Sequence, residues 1–219
     1  MIRINSAVGV RAALALALAS AGISLSSVNA EESAWDGGEG RMELTSTSFV
    51  DHGQLPLSAI YNALQNGVNI CTPSGAAGGD QSPQLAWTHV PHNTHSFVVV
   101  LYDTTASFTH WGMYNISARV RALPENAGVA ASAFGSQITN DFGDPNYDGP
   151  CPPAGVAPDA HHYVFTVYAL DTDLEVSSSA NFPAGAEQLY HALIHAAREG
   201  HILASASLST LYSATPPAD

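Results

Sequence analysis

The sequence predicts a mainly β, antiparallel single domain that closes with one α-helix and a last strand. Short segments rich in β-branched and aromatic residues recur between turns marked by Gly, Pro, Asn and Asp. Only residues 184–198 (AGAEQLYHALIHAAR) repeat apolar side chains at helical spacing, through Leu189, Ala192, Leu193, Ala196 and Ala197. Many short strands with a single late helix fit an antiparallel architecture.

The elements follow in order. Residues 1–30 resemble a secretory leader: Arg3 and Arg11, a short apolar run over 12–25, then Val28-Asn29-Ala30 as a small-residue cleavage site. Residues 31–42 read as an acidic, Gly-rich arm, 43–212 as the folded domain and 213–219 as a polar tail. Within the domain, residues 42–50 (MELTSTSFV) suggest a first strand, 51–56 a turn and 66–82 a Gly-containing loop. Strands follow at 84–87 and at 96–102 (SFVVVLY), whose unbroken apolar run fits a strand covered on both faces. Residues 109–116 suggest another strand and 121–136 a loop. The helix ends at Arg198 before Gly200, a stop signal, and 201–212 suggest the final strand. Nothing after the leader approaches the roughly 18 to 20 apolar residues of a membrane span.

Residues 141–165 (DFGDPNYDGPCPPAGVAPDAHHYVF) join two behaviours. Proline fixes φ and lacks a backbone donor, so Pro150 to Pro153 form a stiff, extended loop. The apolar strand at 161–170 follows directly, so the loop delivers His161, His162 and Tyr163 to a strand end.

Charge excludes several partners. The chain has no lysine, six arginines and nineteen acids, a formal charge of −13. Cleavage after Ala30 would leave 189 residues at −15. Such a surface repels nucleic acid and anionic membranes, so any anion must be held by a local pocket. Cys71 and Cys151 are the two cysteines. In an oxidising compartment, the secreted or periplasmic space expected after export, such a pair favours a disulfide; two separate buried thiols are the alternative.

Several separated motifs then agree: Ser82-Pro83-Gln84-Leu85-Ala86-Trp87, Tyr102-Asp103, His110-Trp111, Gly149-Pro150-Cys151-Pro152-Pro153 and His161-His162-Tyr163-Val164-Phe165. In this order and spacing, from about Glu43 to Tyr212, the chain resembles the phosphatidylethanolamine-binding protein (PEBP) family, in its bacterial Raf-kinase-inhibitor-like branch. The resemblance implies a large central antiparallel sheet, a smaller sheet, and a pocket for phosphate-like or carboxylate-like anions. Its ligand-binding residues fall here on Asp103, His110, Pro153, His161 and Tyr163. The family's Asp-Pro-Asp-x-Pro motif falls on 103–107, where Thr105 and Ser107 replace its second Asp and last Pro. Its Gly-x-His-Arg motif falls on 159–162, where Asp159 and His162 replace Gly and Arg.

The residue chemistry agrees with such a pocket. Imidazoles donate to anions and, near their unperturbed pKa of about 6.5, carry charge. A carboxylate beside them orients the rings, and a tyrosine adds a hydroxyl on an apolar body. The competing reading is that each His is buried and satisfied by a backbone carbonyl.

Three functions use these residues. The first is an exported, non-catalytic binding protein for phospholipid head groups or phosphorylated ligands, with no cofactor and no metal. The second is a protease- or kinase-inhibitor-like module, or another extracellular interaction protein, whose protein partner meets the pocket loops. The third is a metal-dependent hydrolase with two His and one Asp as ligands, or a His general base. No G-x-S-x-G elbow supports a serine hydrolase. Glu187, His191, His195 and Glu199 fall on one helix face and read as a solvated polar stripe. His89, His92 and His95 read as a surface loop, and the sequon at Asn115 sits in a strand.

Overall fold

The computed structural model describes residues 41–178 and 184–216. The leader, residues 31–40 of the arm and the last three residues of the tail lie outside the described residues.

The folded domain is built on a five-stranded antiparallel sheet. In chain order its strands are β5 (Ser96–Asp103), β6 (Phe108–Ser117), β8 (Ser136–Gln137), β9 (His161–Leu170) and β10 (Ile202–Tyr212). Their spatial order is β10-β9-β5-β6-β8. A smaller sheet, β1 (Glu43–Thr45), β4 (Leu85–Thr88) and β7 (Ala122–Leu123), has β4 in the middle. A two-stranded ribbon, β2 (Leu64–Gln65) with β3 (Val68–Asn69), stands apart, and one helix, α1 (Ala186–Arg198), precedes β10.

Strand β5 explains the layering. Successive side chains of a strand face opposite ways. Phe97, Val99 and Leu101 point to one face and pack with Leu44, Leu85 and Trp87 of the small sheet. Val98 and Val100 point to the other face and pack with Leu189 and Leu193 of α1. The sheet is therefore covered on both sides, as its unbroken apolar run predicts, and each such large side chain contributes about 1.5 to 3 kcal/mol by leaving water.

The expected elements are present, with changed edges. The first strand shrinks to three residues, because Ser46 and Ser48 bond to Gln84 and turn the chain away. Two of the expected loops hold short strands, β3 within 66–82 and β7 within 121–136. These pieces are two residues long, too short to show a period in sequence. The final strand starts at Ile202, since the His201 N–H donates to Ala196 at 2.8 Å and still belongs to the helix end. The Asn115 sequon lies in β6, where the Asn115 amide binds Leu174 in both directions.

Register places the functional region. Asp103 pairs with Phe108 across the β5–β6 hairpin and with Tyr163 across β5–β9. The end of β5, the start of β6 and the start of β9 thus meet at one end of the sheet. The Pro-rich loop before β9 closes over them, tied by a Cys71–Cys151 disulfide to the segment after β3.

Candidate functional site

Asp103 is the first group to place. It ends β5, is 2 % exposed, and its Oδ1 accepts the backbone N–H groups of Thr105 and Ala106 at 2.8 and 3.0 Å. These bonds fix the 104–107 turn, with Ser107 at φ +55° in the left-handed region. The other oxygen, Oδ2, accepts from His161 Nδ1 at 2.6 Å. An ionised carboxylate only accepts, so the His161 proton sits on Nδ1 and Nε2 is the nitrogen left for a ligand.

His110 is fixed differently. Its Nδ1 donates to the Asp148 carbonyl at 2.9 Å, which again leaves Nε2 for a ligand. Burial pushes the His110 pKa below its ordinary value, against the raising effects of the Asp148 carbonyl and of Asp103. The expectation that both rings carry charge near neutrality is thereby corrected for His110, which is held neutral. The competing expectation of a buried histidine on a backbone carbonyl is also met there, in the same residue that faces the pocket.

A cavity of about 160 Å³ collects Asp103, His110, Pro153, His161 and Tyr163. All five residues expected from the sequence line it. Phe142, Cys151 and Pro152, from the 141–165 stretch, form a further wall, and Ala106 and Phe108, which the sequence does not single out, complete the lining. Phe142 is 40 % exposed, stacks on Tyr61 at 4.8 Å and meets Phe108 edge-on at 4.7 Å. Nothing in its Asp-Phe-Gly context marks it as a wall, because only the fold of the 140–149 loop brings it there. Tyr163 lies edge-on to His110 at 5.3 Å. Burial, with the Asp103 charge beside it, pushes the Tyr163 phenol well above its ordinary pKa and keeps it protonated.

Two departures from the family pattern touch each other. The His162 N–H donates to Thr105 Oγ1 at 2.9 Å, and Thr104 Oγ1 lies 3.2 Å from His162 Nδ1. Asp159, another of the four, accepts from Ser213 Oγ at 2.7 Å and also from Thr215 Oγ1, so it is bound to the tail rather than to the pocket.

The helix stripe is solvated as expected: Glu187, His191, His195 and Glu199 are exposed. His191 and His195 border a cleft of about 530 Å³ between α1 and residues 172–177. Among the described residues, no three His, Cys, Asp or Glu side chains converge as metal ligands. The described helices contain none long and apolar enough to cross a membrane.

Comparison with known proteins agrees with this architecture. The family model "Phosphatidylethanolamine-binding protein" matches residues 45–213. The UPF0098 protein YbhB of Escherichia coli is 34% identical over 180 residues, covering 78% of this chain and all of that protein. A UPF0098 protein of Aquifex aeolicus is 36% identical, covering 73% of this chain and 90% of its own. The crystal structure of Escherichia coli YbcL, described as a new member of the mammalian PEBP family, superposes with a TM-score of 0.62 at 28% identity, covering 80% of this chain and 99% of that one.

Proposed function

The chain belongs to the phosphatidylethanolamine-binding protein family, and on that premise we propose that it is an exported, non-catalytic binding protein for a small anion, the phosphate or carboxylate group of a phospholipid head group or a phosphorylated ligand. The observation that carries this reading is the convergence of two imidazoles with uncommitted Nε2 atoms in one cavity of about 160 Å³. That volume is small beside the roughly 300 to 1,000 Å³ of drug-sized sites, and suits one anionic group with a short apolar neighbour.

The residues take distinct roles. His161 donates from Nε2 when the ring is charged, and Asp103 fixes its orientation. His110 accepts a proton at Nε2 as the anion arrives, so binding takes up a proton and weakens as pH rises. Tyr163, Phe108, Phe142, Pro152 and Pro153 exclude water and strengthen each polar contact. No hydroxyl nucleophile of Ser or Thr lines the cavity, and the Cys151 sulfur is committed to a disulfide, which supports binding rather than covalent chemistry. The disulfide and the leader-like residues 1–30 support export.

The test is calorimetry with inorganic phosphate and with phosphoethanolamine, on the wild type and on the His110→Ala/His161→Ala double variant. Binding by the wild type and its loss in the double variant support the reading. Binding that survives both substitutions contradicts it and favours contact through the surrounding loops.

A further inference from the structure

We infer that the β2–β3 ribbon is a membrane-docking tip, which sets Leu64, Val68 and Ile70 into the surface of a zwitterionic phospholipid bilayer while the cavity takes the head group of a lipid that stays in that bilayer. This rests on the reading of the cavity as an anion site and names where its anion is met.

The ribbon holds its tip out and rigid. Leu64–Gln65 and Val68–Asn69 pair across Asn66-Gly67, whose φ values of +53° and +81° suit a tight hairpin turn. Asn69, 1 % exposed, ties down the base. Its Nδ2 donates to the Tyr61 and Ala76 carbonyls at 3.0 and 3.2 Å, and its Oδ1 accepts the Cys71 N–H at 3.1 Å. Yet the apolar side chains around the turn stand in water: Leu64 is 63 %, Val68 52 % and Ile70 47 % exposed. Contiguous exposed apolar side chains on a rigid support mark a contact surface.

Two observations choose the partner. By strand alternation Val68 and Ile70 face one way, while Leu64, which pairs with Asn69, faces the other. A rigid protein surface would cover one face and leave the other in water, whereas a fluid bilayer surface surrounds both. Charge is the second. Residues 53–79 contain no Asp, Glu, Lys, Arg or His, in a chain with nineteen acids and a formal charge of −13. The ribbon therefore enters the head-group layer without taking an ionised side chain out of water. The rest of the molecule repels anionic lipid, so the bilayer that fits is zwitterionic.

The ribbon is joined to the cavity at both ends. Tyr61, just before β2, stacks on Phe142 at 4.8 Å, and Phe142 lines the cavity. Cys71, just after Ile70, is bonded to Cys151, which lines it too. The cavity's volume of about 160 Å³ completes the argument. Even drug-sized ligands need roughly 300 to 1,000 Å³, so acyl chains have no room and the lipid must keep them in the bilayer. A protein that reads such a head group has to rest on the membrane surface, where apolar side chains sink about 5 to 10 Å.

Co-sedimentation with vesicles of phosphatidylcholine and phosphatidylethanolamine tests this, on the wild type and on Leu64→Gln/Val68→Gln. Both substitutions are at exposed positions outside the cavity lining. Vesicle partition is expected to fall about tenfold or more in the variant, with affinity for soluble phosphate unchanged. Added phosphatidylglycerol is expected to weaken partition of the wild type. Equal partition of the two proteins, or phosphate binding by a wild type that leaves vesicles alone, overturns the inference and spares the anion reading. A wild-type dimer that the two substitutions dissociate overturns it in favour of a second copy of this chain. Should the variant not fold, nitroxide-labelled lipid decides it in the wild type: broadened Leu64 and Val68 methyl signals support the inference, and unbroadened ones overturn it. Ribbon-dependent partition by a protein that binds neither phosphate nor phosphoethanolamine keeps the docking tip and overturns the anion reading alone.

Discussion

Asp103 Oδ2 accepts a 2.6 Å hydrogen bond from His161 Nδ1 at the junction of β5 and β9, while Oδ1 of the same carboxylate holds the hairpin turn. One buried side chain therefore shapes the turn and fixes the histidine tautomer.

Asp103→Asn separates these roles from shape. The amide oxygen can still accept from the Thr105 and Ala106 N–H groups, but its NH2 then faces His161 Nδ1 and forces that ring into the tautomer with its proton on Nε2. The carboxylate's charge-assisted bonds are lost, so a loss of roughly 1 to 3 kcal/mol is expected in urea unfolding, with weaker phosphate binding. A variant as stable as the wild type would show that the carboxylate is not needed.

His110 gives the fold a pH dependence of its own. Its folded pKa is depressed, so its contribution is present above the unfolded value of 6.5 and is lost as pH falls through the folded one. The destabilisation by His110→Asn is accordingly expected to be larger at pH 7.5 than at pH 5. Denaturant curves at the two pH values check this.

The disulfide joins Cys71, fully buried, to the pocket wall across a sequence separation of 80. Replacing both cysteines by serine is expected to cost roughly 2 to 5 kcal/mol. Phosphate affinity should drop alongside, because Cys151, Pro152 and Pro153 lose their anchor. Unfolding and calorimetry on the same sample measure both.

Gly149 lies against the backbone of residues 59–61, 2.2 Å from the Ala59 carbonyl oxygen at the Cβ position. Backbone does not yield as a side chain does, so Gly149→Ala is expected to cost about 1 to 3 kcal/mol or more by overpacking. Thermal unfolding reads this directly.

The Thr105–His162 contact predicts a change of preference without a change of fold. His162→Arg adds a permanent cation beside the 104–107 turn and is expected to strengthen phosphate binding roughly two- to tenfold, with stability altered by less than about 1 kcal/mol. Calorimetry and melting together check it.

Much of this was legible in the sequence. The run 96–102 announces a strand covered on both faces, and Leu189 with Leu193 announces the helix face that covers it. Asp103, His110, Pro153, His161 and Tyr163 are reached through the resemblance to the family's motifs; the residues alone leave each histidine equally readable as a buried one on a backbone carbonyl. Phe108 was not visible as a wall, and Phe142 only as part of the 141–165 stretch: its own place depends on Asn140, which binds residues 142–144 and Asp148 at once. The neutral state of His110 follows from burial, which no local pattern encodes.

The central claim is that His110 and His161 receive an anion at Nε2. Nitrogen-15 spectra of the imidazole rings during a phosphate titration near pH 6 test it most directly. The account predicts that the His110 and His161 Nε2 resonances move toward the protonated range together and saturate with phosphate. Shifts confined to exposed histidines such as His191 and His195, with the two pocket rings unmoved, would contradict it.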